Sequence, residues 1–179
     1  MLVAMTLAAA VSIITQEVGP HLRTEEPRIH ALIDKGITRS PTFASLLDAL
    51  KQTDVIVYVE SRMLERVRGQ VPHTVTVAGQ YRYLRVQVMP TGSDDQIIST
   101  LAHEVQHAVE IARAPAVGRG ESVESLYARI GFKRRLTYET NEALDMGQKV
   151  RDELARRPAA DRAHVDVKVA VDIPVTDQR

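Results

Sequence analysis

The hydrophobic positions change period several times along the chain, and each change marks a predicted element. A short helix is predicted over Arg28 to Lys35, after an irregular polar stretch bracketed by Pro20 and Pro27. Ser40 is a good cap before Pro41, and Phe43, Leu46, Leu47 and Leu50 then recur at helical spacing. Val55-Ile56-Val57-Tyr58-Val59 is a β-branched apolar run that predicts a buried strand. Arg62 to Arg68 reads as a helical or loop connection ending at Gly69. Strands are predicted over Thr74 to Ala78 and Tyr81 to Met89, joined by a turn at Gly79-Gln80. In the second strand Leu84, Val86 and Val88 share one face, and Tyr83, Arg85 and Gln87 the other.

The clearest helix follows. Ser93 and Gln96 form a capping box, and Asp94 and Asp95 fill the first turn, where the helix dipole favours acids. Pro115 sets its end near Arg113. A loop with Gly118 and Gly120 leads to a short helix over Ser122 to Ile130, and a last helix spans Glu139 to Arg156, stopped by Pro158. Val165, Val167, Val169, Val171 and Ile173 alternate with mostly polar neighbours, which predicts a final strand. With no internal repeat, residues 16–179 read as a single α+β domain. Met1 to Ile14 carries no charged side chain, and residues 1–15 read as a signal-like or N-terminal apolar segment. The segment is too short to span a bilayer. A secretory signal implies a secreted or periplasmic protein, or a tether through this segment alone. A buried N-terminal helix instead fits a cytoplasmic one.

Charge and composition narrow the function classes. Among 179 residues, Lys plus Arg equals Asp plus Glu, so the net charge is zero and no basic excess points to nucleic acid. The local run Arg129, Lys133, Arg134, Arg135 reads as a solvated helix end. There is no cysteine. Disulfides, thiol nucleophiles and thiolate metal sites are thereby excluded, and any metal must be held by His, Asp and Glu.

The chemistry concentrates in Thr100-Leu101-Ala102-His103-Glu104-Val105-Gln106-His107-Ala108-Val109. His103 and His107 are four apart, so a helix places both imidazoles on one face, where they can grip one ion. Glu104 lies on the rim of that face, placed to take a proton from a metal-activated water. Ile97, Ile98, Leu101, Val105, Ala108, Val109 and Ala112 form the opposite, buried face of the same helix. With Thr100 three before the first His and Val109 two after the second, the segment resembles the longer signature of the zincin metallopeptidases. The alternative is a pair of surface histidines on an amphipathic helix.

A catalytic zinc normally has three protein ligands. The metzincin extension places Gly and His where this chain has Glu110 and Arg113, and peptide deformylases use a Cys that is absent. The remaining resemblance is to the gluzincins, which implies a reduced zincin-like core: a short sheet, a zinc helix and a Glu from a later helix. Read from the residues, Glu110 shares the helix of the histidines and cannot easily wrap round their ion. Glu121 lies off the stripe of its short helix, whereas Glu124 flanks it. On the last helix Ala143, Met146, Val150 and Leu154 make the buried stripe; Glu139 falls on it, and Glu142 on the polar side. An inward carboxylate needs a partner. Glu139 is therefore the expected third ligand, with Glu142 and Glu124 the alternatives. The best-known gluzincins carry an Asp four residues after an Asn-Glu; here Asn141-Glu142 is followed by Asp145, three on. Residues 28 to 150 also resemble small uncharacterised bacterial proteins with a His-Glu-Leu-Gln-His segment and a downstream Tyr-Glu-Thr, here Tyr138-Glu139-Thr140, which favours Glu139.

The expected activity is zinc-dependent hydrolysis of a peptide or protein substrate, with Glu104 as general base and Tyr127, Tyr138 or Arg129 as a candidate oxyanion donor. The strand Tyr81 to Met89 is the expected partner for an extended peptide. The alternative is a zinc-binding scaffold or interaction module with no turnover.

Overall fold

A computed structural model describes residues 20–134 and 137–156. The N-terminal apolar segment and the strand predicted over Val165 to Ile173 lie outside the described residues. The elements are β1 (Leu22–Arg23), α1 (Pro27–Arg39), α2 (Pro41–Lys51), β2 (Val55–Ser61), β3 (Gly69–Gln70), β4 (Thr76–Ala78), β5 (Tyr81–Val88), α3 (Asp94–Ala112), α4 (Val123–Ile130), β6 (Phe132–Arg134), β7 (Thr137–Glu139) and α5 (Asn141–Ala155). They make a small α+β fold.

The main sheet has five strands in the order β1-β2-β5-β3, with β4 also paired to β5. β1, β2 and β5 run parallel; β3 and β4 lie antiparallel to β5. The register pairs Val57 with Leu84 and Val59 with Val86. These four side chains join the core formed with α1, α2 and α3, as strand alternation requires. Tyr58 and Tyr83 lie on the opposite face and stack at 6.5 Å.

Local chemistry sets the helix boundaries. Ser93 accepts from Gln96 N and the Gln96 side chain accepts from Ser93 N, so the capping box forms as the sequence predicts. Ser40 ends α1 and caps α2, accepting from Phe43 N at 3.0 Å. It also donates to Glu153 of α5 at 2.5 Å, which ties three helices together. α3 buries Ile97, Ile98, Leu101, Val105, Val109 and Ile111. Burial of each such aliphatic chain contributes about 1.5–3 kcal/mol, so this helix is fixed by its back face and free to carry polar groups on the other.

The C-terminal end of α3 is held by a charge that the strand pattern places inward. Arg82 is fully buried. Its guanidinium donates to the Ile111, Ala112, Ala114 and Val117 carbonyls at 2.8–3.3 Å and grips Asp54 through two bonds of 2.7 and 2.8 Å. The last carbonyls of α3 and those of the turn that follows thus receive a cation that also complements the dipole.

α5 packs against α3 in the opposite direction. Gln106 donates to Glu142, Gly147 packs on His103, and Arg39 bonds both Asp95 and the Leu154 carbonyl. A Cβ on Gly147 would lie 3.2 Å from His103 Cβ and 3.3 Å from the Ser99 carbonyl, so glycine is what permits this close approach. Among the described residues β6 and β7 pair only with each other, as a hairpin between α4 and α5. The structure corrects one boundary here. The last helix starts at Asn141, and Glu139 belongs to β7, because Thr140 caps the helix by accepting from Ala143 N. Among the described residues, no helix is long and apolar enough to cross a membrane.

Candidate metal centre

α3 supplies the floor of the site. His103 and His107 stand one turn apart, with ring centroids 4.9 Å apart and planes nearly perpendicular. Glu139 reaches them from β7. Its Oε2 lies 3.1 Å from His103 Nε2 and 3.9 Å from His107 Nε2. One ligand atom from each of the three residues falls within 4.8 Å of the others, so the group can hold a metal ion.

The buried atoms agree with that capacity. Glu139 Oε2 is buried and accepts no hydrogen bond; the approach of His103 is at ion-pair distance but is not aimed as a hydrogen bond. A desolvated carboxylate oxygen without a donor is costly, and a cation shared with two imidazoles removes that cost. Burial alone would lower the pKa of His103, but Glu139, Glu104 and the Ala143 carbonyl together hold it above the ordinary value. For Glu139 burial works upward, and His103, His107 and Arg134 outweigh it and hold the carboxyl below the usual range.

His107 is oriented from behind. Its Nδ1 lies 2.9 Å from Glu110 Oε2, and Glu110 Oε1 accepts from the Thr140 hydroxyl at 2.6 Å. Burial pushes the Glu110 carboxyl up, but the bonds from His107 and Thr140 outweigh it and keep it below the usual value. An ionised Glu110 puts the ring proton on Nδ1 and leaves Nε2 as the free nitrogen on the Glu139 side. Thr140 therefore does two things at once: it caps α5 and secures the carboxylate that holds a candidate ligand. Tyr127 packs edge-on against the His107 ring at 5.2 Å and donates its hydroxyl to the His107 carbonyl at 3.0 Å.

Glu104 lies beside this group, 5 % exposed, and burial pushes its carboxyl up to about 7 in spite of His103 and His107. β3 covers it. A Cβ on Gly69 would stand 2.6 Å from Glu104 Oε1 and 2.7 Å from Thr100 Cγ2, so only glycine lets the strand pass this close. His103, Glu104 and Glu139 line a cleft of about 680 Å³ whose walls are residues 67–73 on one side and α5 on the other. An ion held by these three residues would face the cleft, with Glu104 next to it.

The other candidates fall elsewhere. Glu142 pairs with Arg113 at 2.7 Å and accepts from Gln106, outside the cleft. Glu124 is exposed and does not line the cleft. Arg129 pairs with Glu121 at 2.5 Å and is likewise outside, whereas Tyr127 and Tyr138 line it. The peptide-pairing role expected of Tyr81 to Met89 is corrected by topology. β2 takes one edge of β5, β3 and β4 cover much of the other, and no residue of β5 lines the cleft; β3 and β7 do. Sequence reasoning missed Gly69, Gly147 and the cap at Thr140. The last was readable as Thr three residues before Ala143; the glycines carried no signal until the packing was known.

Compared with family models, curated proteins and solved structures, the chain matches none.

Proposed function

We propose that this protein is a zinc-dependent hydrolase, specifically a metallopeptidase of the gluzincin-like zincin type. His103, His107 and Glu139 would hold the ion. The observation that carries this reading is the convergence of Glu139, from a separate hairpin, on the two imidazoles, with one buried oxygen lacking any hydrogen bond. Two neutral nitrogens and one carboxylate form a donor set suited to a catalytic zinc, which keeps a further position open. When bound, such an ion lowers the pKa of water towards about 7 and polarises a carbonyl.

The chain's own residues supply the rest. Glu104 sits on the cleft side of the pair with a carboxyl tuned near neutrality, suited to accept a proton at Oε and return it to a leaving amine. Glu110 and Thr140 fix His107, and Gly69 closes β3 over Glu104 so that bulk water is kept from its carboxyl. Tyr138 lines the same cleft and is the nearer of the remaining phenols to solvent, suited to a developing oxyanion.

The test combines metal content with turnover. One zinc per chain, cleavage of a mixed peptide library, loss of cleavage on chelation and its return with zinc are expected. Glu104→Gln should keep the metal and abolish turnover. Full cleavage by that variant refutes the role of Glu104, and stoichiometric zinc without any cleavage favours the scaffold reading instead.

A further inference from the structure

The cleft is not electrically even along its length. Two arginines that the proposed chemistry does not use line it: Arg68 on the loop entering β3, and Arg151 on α5. Both are exposed, and among the described residues neither lies within ion-pair distance of a carboxylate. Among the described residues Arg151 donates its side chain only to Gln148 Oε1, at 3.3 Å, while Asp152 beside it accepts from the Gln148 amide.

The fold puts the two at the same end. Arg68 Nη1 comes within 3.3 Å of the position a Cβ would take on Gly92, just before the Ser93 cap of α3. α5 runs antiparallel to α3, and Gly147 packs on His103 and the Ser99 carbonyl. Arg151, one turn beyond Gly147, therefore lies beside the first turns of α3. Three acids near this end are committed elsewhere. Asp94 and Asp95 pair with Lys35 and Arg39, and Glu153 accepts from Ser40 and Thr42. Asp145 also lines the cleft, but on the other side of Gly147 from Arg151.

We propose that Arg68 and Arg151 form a cationic subsite at the end of the cleft beside the start of α3, selecting peptides with an acidic side chain near the scissile bond. This rests on the proposed peptide hydrolysis. One helical turn separates Gly147 from Arg151, about 6 Å, which corresponds to about two residues of extended peptide at roughly 3.3 Å each. Two forked guanidinium groups on opposite walls can clamp one carboxylate or two neighbouring ones.

The probes are two fluorescent peptides, identical except for a Glu pair or a Lys pair at one end. Binding is measured with the zinc-loaded Glu104→Gln protein, so no turnover is needed. The Glu peptide should bind about three- to tenfold more tightly at low salt, the sum of two exposed charge contacts. High salt should erase the difference. Arg68→Glu combined with Arg151→Glu should invert it. Equal binding of both peptides, or a Glu preference that survives the double charge reversal, overturns the proposal. Cleavage of the same peptides by the unmodified holoenzyme separates the two claims. Equal kcat/KM for both overturns the subsite while leaving hydrolysis standing. Glu-selective binding with no cleavage of either supports the subsite and removes the hydrolase reading.

Discussion

Glu110→Gln isolates the support behind the metal ligands without touching any of them. The native carboxylate accepts from His107 Nδ1 at 2.9 Å with one oxygen and from Thr140 at 2.6 Å with the other, and it is almost fully buried. Glutamine keeps the volume but turns one of those oxygens into an NH2 group that cannot accept. The remaining oxygen can still accept from His107 while the NH2 donates to the Thr140 hydroxyl, but the negative charge behind the imidazole disappears and the charge-assisted bond becomes a neutral one. A hydrogen bond to a charged group contributes about 1.5–3 kcal/mol. At about 1.4 kcal/mol per factor of ten, zinc affinity should fall about 10- to 100-fold, the range expected for partners that orient a ligand. The assay is competition with a fluorescent zinc chelator at fixed pH, with circular dichroism to confirm the fold. Thr140→Val should lower affinity about three- to tenfold and also cost about 1 kcal/mol of stability through the lost cap. Because both changes act through one carboxylate, the double variant should lose less affinity than the product of the singles. A folded Glu110→Gln protein whose zinc affinity is indistinguishable from that of the unmodified chain would refute the orienting role.

Gly69→Ala places a methyl at 2.6 Å from Glu104 Oε1, so the carboxylate or β3 must move; a displacement approaching 1 Å should lower kcat about 100-fold with zinc content unchanged, measured by turnover and metal analysis. Arg82→Met removes a donor from two α3 carbonyls, from the Ala114 and Val117 carbonyls beyond it and from Asp54, which should cost about 3–5 kcal/mol and lower Tm by roughly 6–20 °C in a calorimetric scan. Unchanged Tm would show that water replaces the guanidinium without loss. The same pair predicts a pH response. The hydrogen bond from Arg82 holds the Asp54 carboxyl below its unfolded value, so its stabilisation is complete above that value, near 4, and is lost as pH falls through the folded one. Asp54→Asn should flatten the acid limb of a stability-against-pH curve below about pH 4 and leave its shape near neutrality unaltered.

The elements that were legible in the sequence are those fixed by local chemistry. α3 shows itself through the Ser93–Gln96 box and its apolar stripe, and both β2 and β5 through β-branched or alternating runs. What the sequence could not show depends on pairing across distance. β3 is two residues long and exists only because β5 offers it an edge, and the parallel register of β1 and β2 has no local marker. The expected third ligand illustrates the limit best. Glu139 continues the stripe of Ala143, Met146, Val150 and Leu154 in the sequence, but that periodicity runs past the real helix start. An extended β7, not a helix, brings Glu139 beside the imidazoles. Arg82 shares the inward parity of Leu84 and Val86; an arginine there gave no sign that a helix end was waiting to be capped.

Among the described residues the hairpin that carries Glu139 pairs with no other strand, and a two-stranded ribbon is marginal in water by itself. Its anchors to α3 include the Thr140–Glu110 bond, which joins positions 30 residues apart in the chain. An ion bridging Glu139 to the imidazoles would close that same excursion, acting as a reversible crosslink whose main effect falls on the unfolded ensemble. Chelation should accordingly loosen the molecule unevenly. Amide exchange would accelerate first in β6 and β7 while the Arg82-locked end of α3 keeps its protection, so that the helical floor of the site outlasts its roof.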